Sequence, residues 1–171
     1  MKKSQVIALA VAALVVVAGK EYYRTASPED LRWILAPTVH AVTALGCGHF
    51  TFDPGAGWLD PQLGFAIVPA CAGLHFALAA FLALVIGSLG GIRDLRSCAI
   101  RLCAAAAIAY TATLVVNTIR IAIAIRMHRM DLANSEELHR LEGTIVYLGG
   151  LCALYALARS LDRRTHALAR G

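Results

Sequence analysis

Ala99-Ile-Arg-Leu-Cys-Ala-Ala-Ala-Ala-Ile-Ala-Tyr-Thr-Ala-Thr-Leu-Val-Val-Asn-Thr-Ile-Arg-Ile-Ala-Ile-Ala-Ile125 is an apolar run broken only by Arg101 at its start and by Asn117 and Arg120 near its end. A helix rising about 1.5 Å per residue crosses a hydrocarbon core of about 30 Å in roughly 20 residues, so this run is long enough to span a membrane. A soluble domain could not bury it alongside the rest of the chain. Of 171 residues, 58% are hydrophobic, and the mean hydropathy is +0.65, too apolar for a surface that faces water.

Working outward, Phe65 to Gly87 is a second run, closed by Gly90-Gly91 and Arg93-Asp-Leu-Arg96. Another, Gly143 to Leu157, is extended upstream by His139-Arg-Leu-Glu142. Ser4 to Gly19 follows Met1-Lys2-Lys3 in the manner of a signal peptide, but no clear AxA site follows it, and it is read as an uncleaved anchor. Ser27-Pro-Glu-Asp opens a weaker segment with a capping serine, a proline at the first position and acids in the first turn. That segment carries Arg32, Pro37 and His40 and is expected to lie in the interface or pack against the bundle rather than cross. The expected fold is an all-α integral membrane protein with one domain over residues 1–171. It has about four transmembrane helices (anchor 4–19; core spans 65–88, 99–125 and 139–159) and an extracytoplasmic interfacial helix over 28–46.

The charge pattern orients these spans. Lys2, Lys3, Arg93, Arg96, Arg101, Arg159, Arg163, Arg164 and Arg170 fall on one side, opposed only by Asp94 and Asp162. The other side gathers Glu21, Glu29, Asp30, Asp53, Asp60, Asp131, Glu136, Glu137 and Glu142 with fewer basic residues. Basic loops stay inside, so both termini are expected to be cytoplasmic in a multi-pass protein. The net charge of +5 does not indicate nucleic acid, because the basic residues sit at the ends of apolar runs with no aromatic-interleaved stripe. Five cysteines form no CxxC pair, which argues against a disulfide framework or a tetrathiolate zinc site. No P-loop, GxGxxG, HExxH or GxSxG motif is present, and neither a metal nor a cofactor is expected.

Depth along each span singles out three residues. Cys71 lies 19 residues from Gly90, Arg120 lies 19 from Arg101, and His139 lies 20 from Arg159. Counted from the inner face, all three reach the outer boundary. Arg120 is followed by five apolar residues before Arg126, so it is not simply the end of its run. A guanidinium there costs a few kcal/mol unless it snorkels or faces protein, water or an anion. Asn117, three residues earlier, shares its helix face and could orient it. Cys71 follows Pro69 between Ala70, Ala72 and Gly73, which clear space around the sulfur; at a helix start, unpaired amides favour a thiolate. His139 shares a face with Glu142 and Gly143. A cysteine, a histidine to carry its proton and an arginine to stabilise an oxyanion are a set for nucleophilic acyl transfer. Cys47, in Gly46-Cys-Gly48, is a rival thiol and a potential disulfide partner for Cys71.

At Pro69-Ala-Cys-Ala-Gly73, Asn117-Thr-Ile-Arg120 and His139-Arg-Leu-Glu-Gly143 the sequence resembles the exosortase and archaeosortase family of membrane cysteine transpeptidases. Its shortness is similar to the compact exosortase K branch, and the resemblance covers roughly residues 30 to 160. It implies an enzyme of the bacterial inner membrane, with its site on the extracytoplasmic face. Such an enzyme cleaves a C-terminal sorting helix from exported proteins and passes the acyl group to a lipid or other cell-surface acceptor. Carried over, Cys71 is the nucleophile, Arg120 the stabiliser of thiolate and oxyanion, and His139 the acid/base, with Asn117 and Glu142 in support. Ala72 stands where many members have serine, so a hydroxyl is missing at that point.

Two other readings fit the same residues. One is a non-enzymatic small transporter or assembly factor, in which Arg120 binds an anion and Cys71 only packs. The other is a metal site drawing on His40, His49, His75 and His139, in which His75 stands four residues after Cys71.

Overall fold

A computed structural model describes residues 2–130, 141 and 143–156. The described chain is mostly helical. Helix α1 is Lys3–Thr25 and α2 is Arg32–Ala44; three short strands follow, β1 (Thr51–Asp53), β2 (Gly57–Asp60) and β3 (Phe65–Ile67). After a 3-10 turn at Pro69–Cys71 come α3 (Leu74–Ser88), a second 3-10 turn at Leu89–Gly91, and α4 (Leu95–Arg129). A last apolar helix, α5, is Gly143–Ala156.

Among the described residues, three segments are long and apolar enough to cross a membrane: Lys3–Thr25, Pro69–Gly91 and Leu95–Arg129. This is a membrane-embedded protein. At about 1.5 Å per residue, the 35-residue α4 is some 50 Å long, well beyond the hydrocarbon thickness. In α5 the described part, at about 21 Å, falls short of a crossing. The rest of the expected 139–159 span lies outside the described residues, so three spans are shown where four were expected.

Two ends can be told apart. Helix α1 starts beside the turn that precedes α4, where the Gln5 side-chain amide donates to the Leu89 carbonyl at 3.0 Å. The other end of α1 reaches the turn that precedes α3, where the Tyr23 hydroxyl donates to the Pro69 carbonyl at 3.1 Å. So α1 runs from a basic end to a sheet end, α3 returns, and α4 runs out again. At its far end, Arg129 donates to the Cys47 carbonyl at 3.1 Å and His128 meets the Leu63 carbonyl at 3.0 Å. Small residues let the three helices approach closely: Ala12, Ala80, Ala105 and Ala109 are buried together with Phe76, Phe81 and Val85.

Helix α2 buries one face, Ile34, Leu35, Thr38, Val39 and Val42, against Ile121 and Ile125 of α4. At 13 residues it is too short to cross. Its regular helix begins at Arg32 rather than at 28, because Ser27 and Asp30 cap each other in a turn first. The Ser27 hydroxyl donates to the Asp30 carboxylate at 2.7 Å, and the Asp30 amide donates back to the Ser27 oxygen at 3.2 Å. Pro37, inside α2, has no amide to offer the carbonyl four residues earlier. That carbonyl, of Trp33, accepts instead from the Tyr110 hydroxyl of α4 at 3.1 Å, with the two rings stacked at 5.7 Å.

The antiparallel sheet β1-β2-β3 is a departure from the all-helical expectation. Asp53 closes the first turn by accepting from the Gly55 and Ala56 amides at 2.7 and 2.9 Å. Asp60 closes the second, accepting from Gln62 and Leu63 and from His49 across the loop. The expected helix over 65–88 therefore divides: Phe65–Ile67 is a strand and the helix proper starts at Leu74. Pro69 is the physical reason, since it holds Val68 extended (φ −96°, ψ 170°) and so keeps the strand from running into α3 as one helix.

Candidate active site

Cys71 sits at the sheet end on the 3-10 turn, half-buried, with its amide donating to the Val68 carbonyl at 2.8 Å. It therefore precedes the helix instead of occupying its first turn. Gly73 separates the two with a left-handed backbone (φ 68°), and α3 begins one residue later. This break also removes the helical i, i+4 relation between Cys71 and His75, whose ring instead packs edge-on against Tyr23 at 4.9 Å.

The carbonyl of Cys71 accepts a hydrogen bond from the Asn117 side-chain amide at 2.6 Å. Asn117 is fully buried on α4. Its own oxygen accepts from the Tyr147 hydroxyl of α5 at 3.0 Å. That hydroxyl in turn accepts from Arg120 Nη1 at 3.3 Å, and the guanidinium lies 5.3 Å from the centre of the Tyr147 ring. A polar chain thus joins the Cys71 backbone, Asn117, Tyr147 and Arg120 across three elements. Asn117 and Arg120 share a face of α4, as the spacing of three implies, but their coupling runs through Tyr147.

Close approach makes two glycines part of this site. A Cβ on Gly73 would stand 3.2 Å from both the Asn117 Cγ and the Tyr147 hydroxyl, and one on Gly143 would stand 3.1 Å from Arg120 Nε. That Nε is buried with no hydrogen-bond partner among the described residues. The face of Tyr147 supplies part of what the cation loses on leaving water, while the unused donor leaves capacity for an anionic or carbonyl oxygen. Tyr23, on α1, lies within electrostatic reach of Cys71, Tyr147 and Arg120 together.

Of the residues expected from sequence, the structure brings Cys71, Asn117 and Arg120 to one place. His139 and Glu142 lie outside the described residues. Tyr147 and Tyr23 were missed. Tyr147 stands four residues after Gly143 and so shares its helix face, a signal present in the sequence. Tyr23 lies past Gly19, where the first apolar run of the sequence ends, whereas the helix continues to Thr25.

Cys47 is a buried free thiol, and so is not disulfide-bonded to Cys71, which is also free. Among the described residues no group of three or more His, Cys, Asp or Glu side chains is placed to hold a metal ion. His40 packs against Trp58 and His49 belongs to the Asp60 loop, so these two histidines serve separate local contacts. The chain matches no protein-family profile, no curated protein and no solved structure.

Proposed function

We propose that this protein is a membrane cysteine transpeptidase of the exosortase kind, acting on the C-terminal sorting signal of exported proteins. The observation that carries this reading is the chain from the Cys71 carbonyl through Asn117 and Tyr147 to Arg120, which ties the thiol-bearing turn to a cation whose buried Nε has no partner among the described residues. Cys71 as thiolate attacks the scissile carbonyl carbon, and Arg120 stabilises the oxyanion that forms. The C–N bond breaks as His139 protonates the leaving amine, giving a thioester on Cys71. A nucleophile on a lipid or other surface acceptor then attacks the thioester as His139, now neutral, takes its proton, and the thiolate of Cys71 is released. A water-poor site favours that acceptor over hydrolysis.

Placement in a bacterial inner membrane, with the sheet end outside and both termini in the cytoplasm, is part of the same proposal. It is supported by Lys2, Lys3, Arg93 and Arg96 gathering at the opposite end. The test is co-expression of the full chain with an exported reporter ending in an apolar helix and a basic tail, followed by mass spectrometry of the chain. An acyl adduct on Cys71, absent in Cys71→Ala, is expected. An adduct on Cys47, or processing that survives Cys71→Ala, would sink the proposal.

The unused Arg120 donor also fits a non-enzymatic anion-binding protein. That reading requires activity to survive Cys71→Ser and to fail in Arg120→Ala.

A further inference from the structure

Strand β3 leads straight into the Cys71 turn and has an open side. The sheet order is β1-β2-β3, so among the described residues β3 pairs with β2 alone. Ile67 stands opposite Trp58 in that ladder, and its carbonyl lies 2.6 Å from where a Cβ on Gly57 would be, so this carbonyl points at β2. Successive residues of a strand turn their amide and carbonyl to opposite sides. The amide and carbonyl of Ala66 therefore face the open side, and Ala66 is exposed. Pro69 holds Val68 extended (φ −96°, ψ 170°), which carries the Val68 amide onto the same side as those of Ala66. The Val68 carbonyl is taken by the Cys71 amide at 2.8 Å, tying the end of this edge to the thiol-bearing turn.

An open edge is a template for a further strand, and proteins commonly block it with charge or with proline inside the strand. The other outer strand, Thr51-Phe-Asp53, carries a carboxylate, whereas Phe65-Ala-Ile67 carries no charge and Pro69 comes only after it. Chain direction adds a second argument. β3 runs through the Cys71 turn into α3, from the sheet into the apolar bundle. A substrate of the proposed kind has the same order: exported domain, cleavage site, then an apolar helix in the membrane. A segment running parallel to β3 delivers its scissile bond to Cys71 on the way into the membrane, and an antiparallel one would lead its helix out of it.

We propose that the open edge of β3 is the substrate-binding strand of this site, on which the extended stretch of an exported polypeptide just before its scissile bond adds as a fourth, parallel strand. One substrate residue donates its amide to the Ala66 carbonyl and offers its carbonyl to the Val68 amide. The residue two places earlier offers its carbonyl to the Ala66 amide, and the residue between them turns its polar groups away. The inference rests on the reading of Cys71 as the nucleophile toward exported proteins.

The probe is a synthetic peptide with an extended Thr/Val/Ser segment, a Leu/Ala helix of about 20 residues and a Lys-rich tail, because main-chain pairing needs no particular motif. It is mixed in detergent with the full chain carrying Cys71→Ala, so that pairing is read apart from chemistry. One cysteine is moved through consecutive positions of the extended segment and oxidised against the thiol introduced by Ala66→Cys, and mass spectrometry locates the bond. Cross-links at alternate positions are expected, since side chains on one face of a strand recur every second residue. With Val68→Cys in place of Ala66→Cys the pattern should move two residues toward the peptide's helix, and Thr51→Cys, on the β1 edge, should capture none. N-methylation of the peptide residue after the best cross-linked one should lower the yield about tenfold, the worth of one hydrogen bond, and N-methylation of the cross-linked residue itself should not. Equal cross-linking at every position, a shift away from the helix in Val68→Cys, equal capture by Thr51→Cys, or bonds between two chains in place of peptide would overturn the proposal. Alternate cross-links combined with no acyl adduct on Cys71 in the unsubstituted chain would leave the strand pairing standing and remove the transpeptidase reading alone.

Discussion

The side-chain amide of Asn117 donates to the backbone carbonyl of Cys71 at 2.6 Å, across 46 positions of sequence. Because the bond is to the peptide and not to the sulfur, Asn117 sets where the thiol-bearing turn sits without touching the thiol. Asn117→Ala removes that anchor and takes the acceptor from the Tyr147 hydroxyl as well. Leaving the part-buried Cys71 carbonyl without this donor should cost roughly 1 to 3 kcal/mol. Thermal unfolding in detergent measures the loss, and alkylation of Cys71 should become faster as the turn loosens. Unchanged stability together with unchanged alkylation would show that the bond anchors nothing.

Tyr147 offers Arg120 two separate things, a hydroxyl and a ring face. Tyr147→Phe keeps the face and removes the hydroxyl, so the fold should persist while turnover of a sorting-signal reporter falls about tenfold, equivalent to one hydrogen bond of roughly 1.4 kcal/mol. Tyr147→Ala removes both and should lower turnover further. If the Phe variant kept full turnover and only the Ala variant were impaired, the ring would be the group that matters and the hydroxyl chain would be incidental.

Gly73 is constrained twice, by φ 68° and by the Asn117 and Tyr147 atoms 3.2 Å from where a Cβ would lie. Gly73→Ala should therefore destabilise by roughly 2 to 4 kcal/mol, combining left-handed strain with overpacking. Gly87, inside α3, has nothing within 4 Å of its would-be Cβ. Gly87→Ala should be neutral or slightly stabilising, since alanine is the better helix former. Paired melting curves decide it, and equal effects at the two positions would remove the packing argument.

The contrast between these residues explains what could be read in the sequence. Arg120 and Asn117 stand out because polar side chains in an apolar run are costly, and a spacing of three is enough to put them on one face of a helix. Cys71 could be located between Pro69 and Gly73 but not given its conformation, since Phe65 to Gly87 is one continuous apolar stretch in which a strand, a turn and a helix succeed each other. The sheet escaped notice because its strands are three or four residues long and its turns depend on two aspartates that look like ordinary surface charge. Tyr147 and Tyr23 escaped because a tyrosine near the end of a span reads as an interface anchor.

Asp60 gives that sheet a pH limit. The His49 amide foremost, with the Leu63 and Gln62 amides, holds its carboxyl below the ordinary 3.8, partly opposed by burial. A group whose pKa is lower in the folded state contributes stability that is fully present above the unfolded value and is lost as pH falls through the folded one. In a Trp33→Phe background, the fluorescence of Trp58 should hold steady from neutral pH to about 5 and shift to the red only below about 4. Asp60→Asn should show the shifted spectrum at neutral pH. A transition near pH 6 instead would point to histidine.

Pro37 and Tyr110 make the last case, because one explains the other. The proline leaves the Trp33 carbonyl without its helical donor, and the Tyr110 hydroxyl takes that place at 3.1 Å while joining α2 to α4. Tyr110→Phe alone should cost about 1 kcal/mol, the net worth of such a bond. Pro37→Ala supplies an amide in position to reach Trp33, so in that background the same Tyr110→Phe change should cost less. The double-mutant cycle isolates the coupling from the separate effect of each substitution on packing. If Tyr110→Phe costs the same with proline or alanine at 37, the hydroxyl is not standing in for the missing amide, and α2 is held to α4 by the stacked rings of Trp33 and Tyr110 and the buried face of α2 against Ile121 and Ile125.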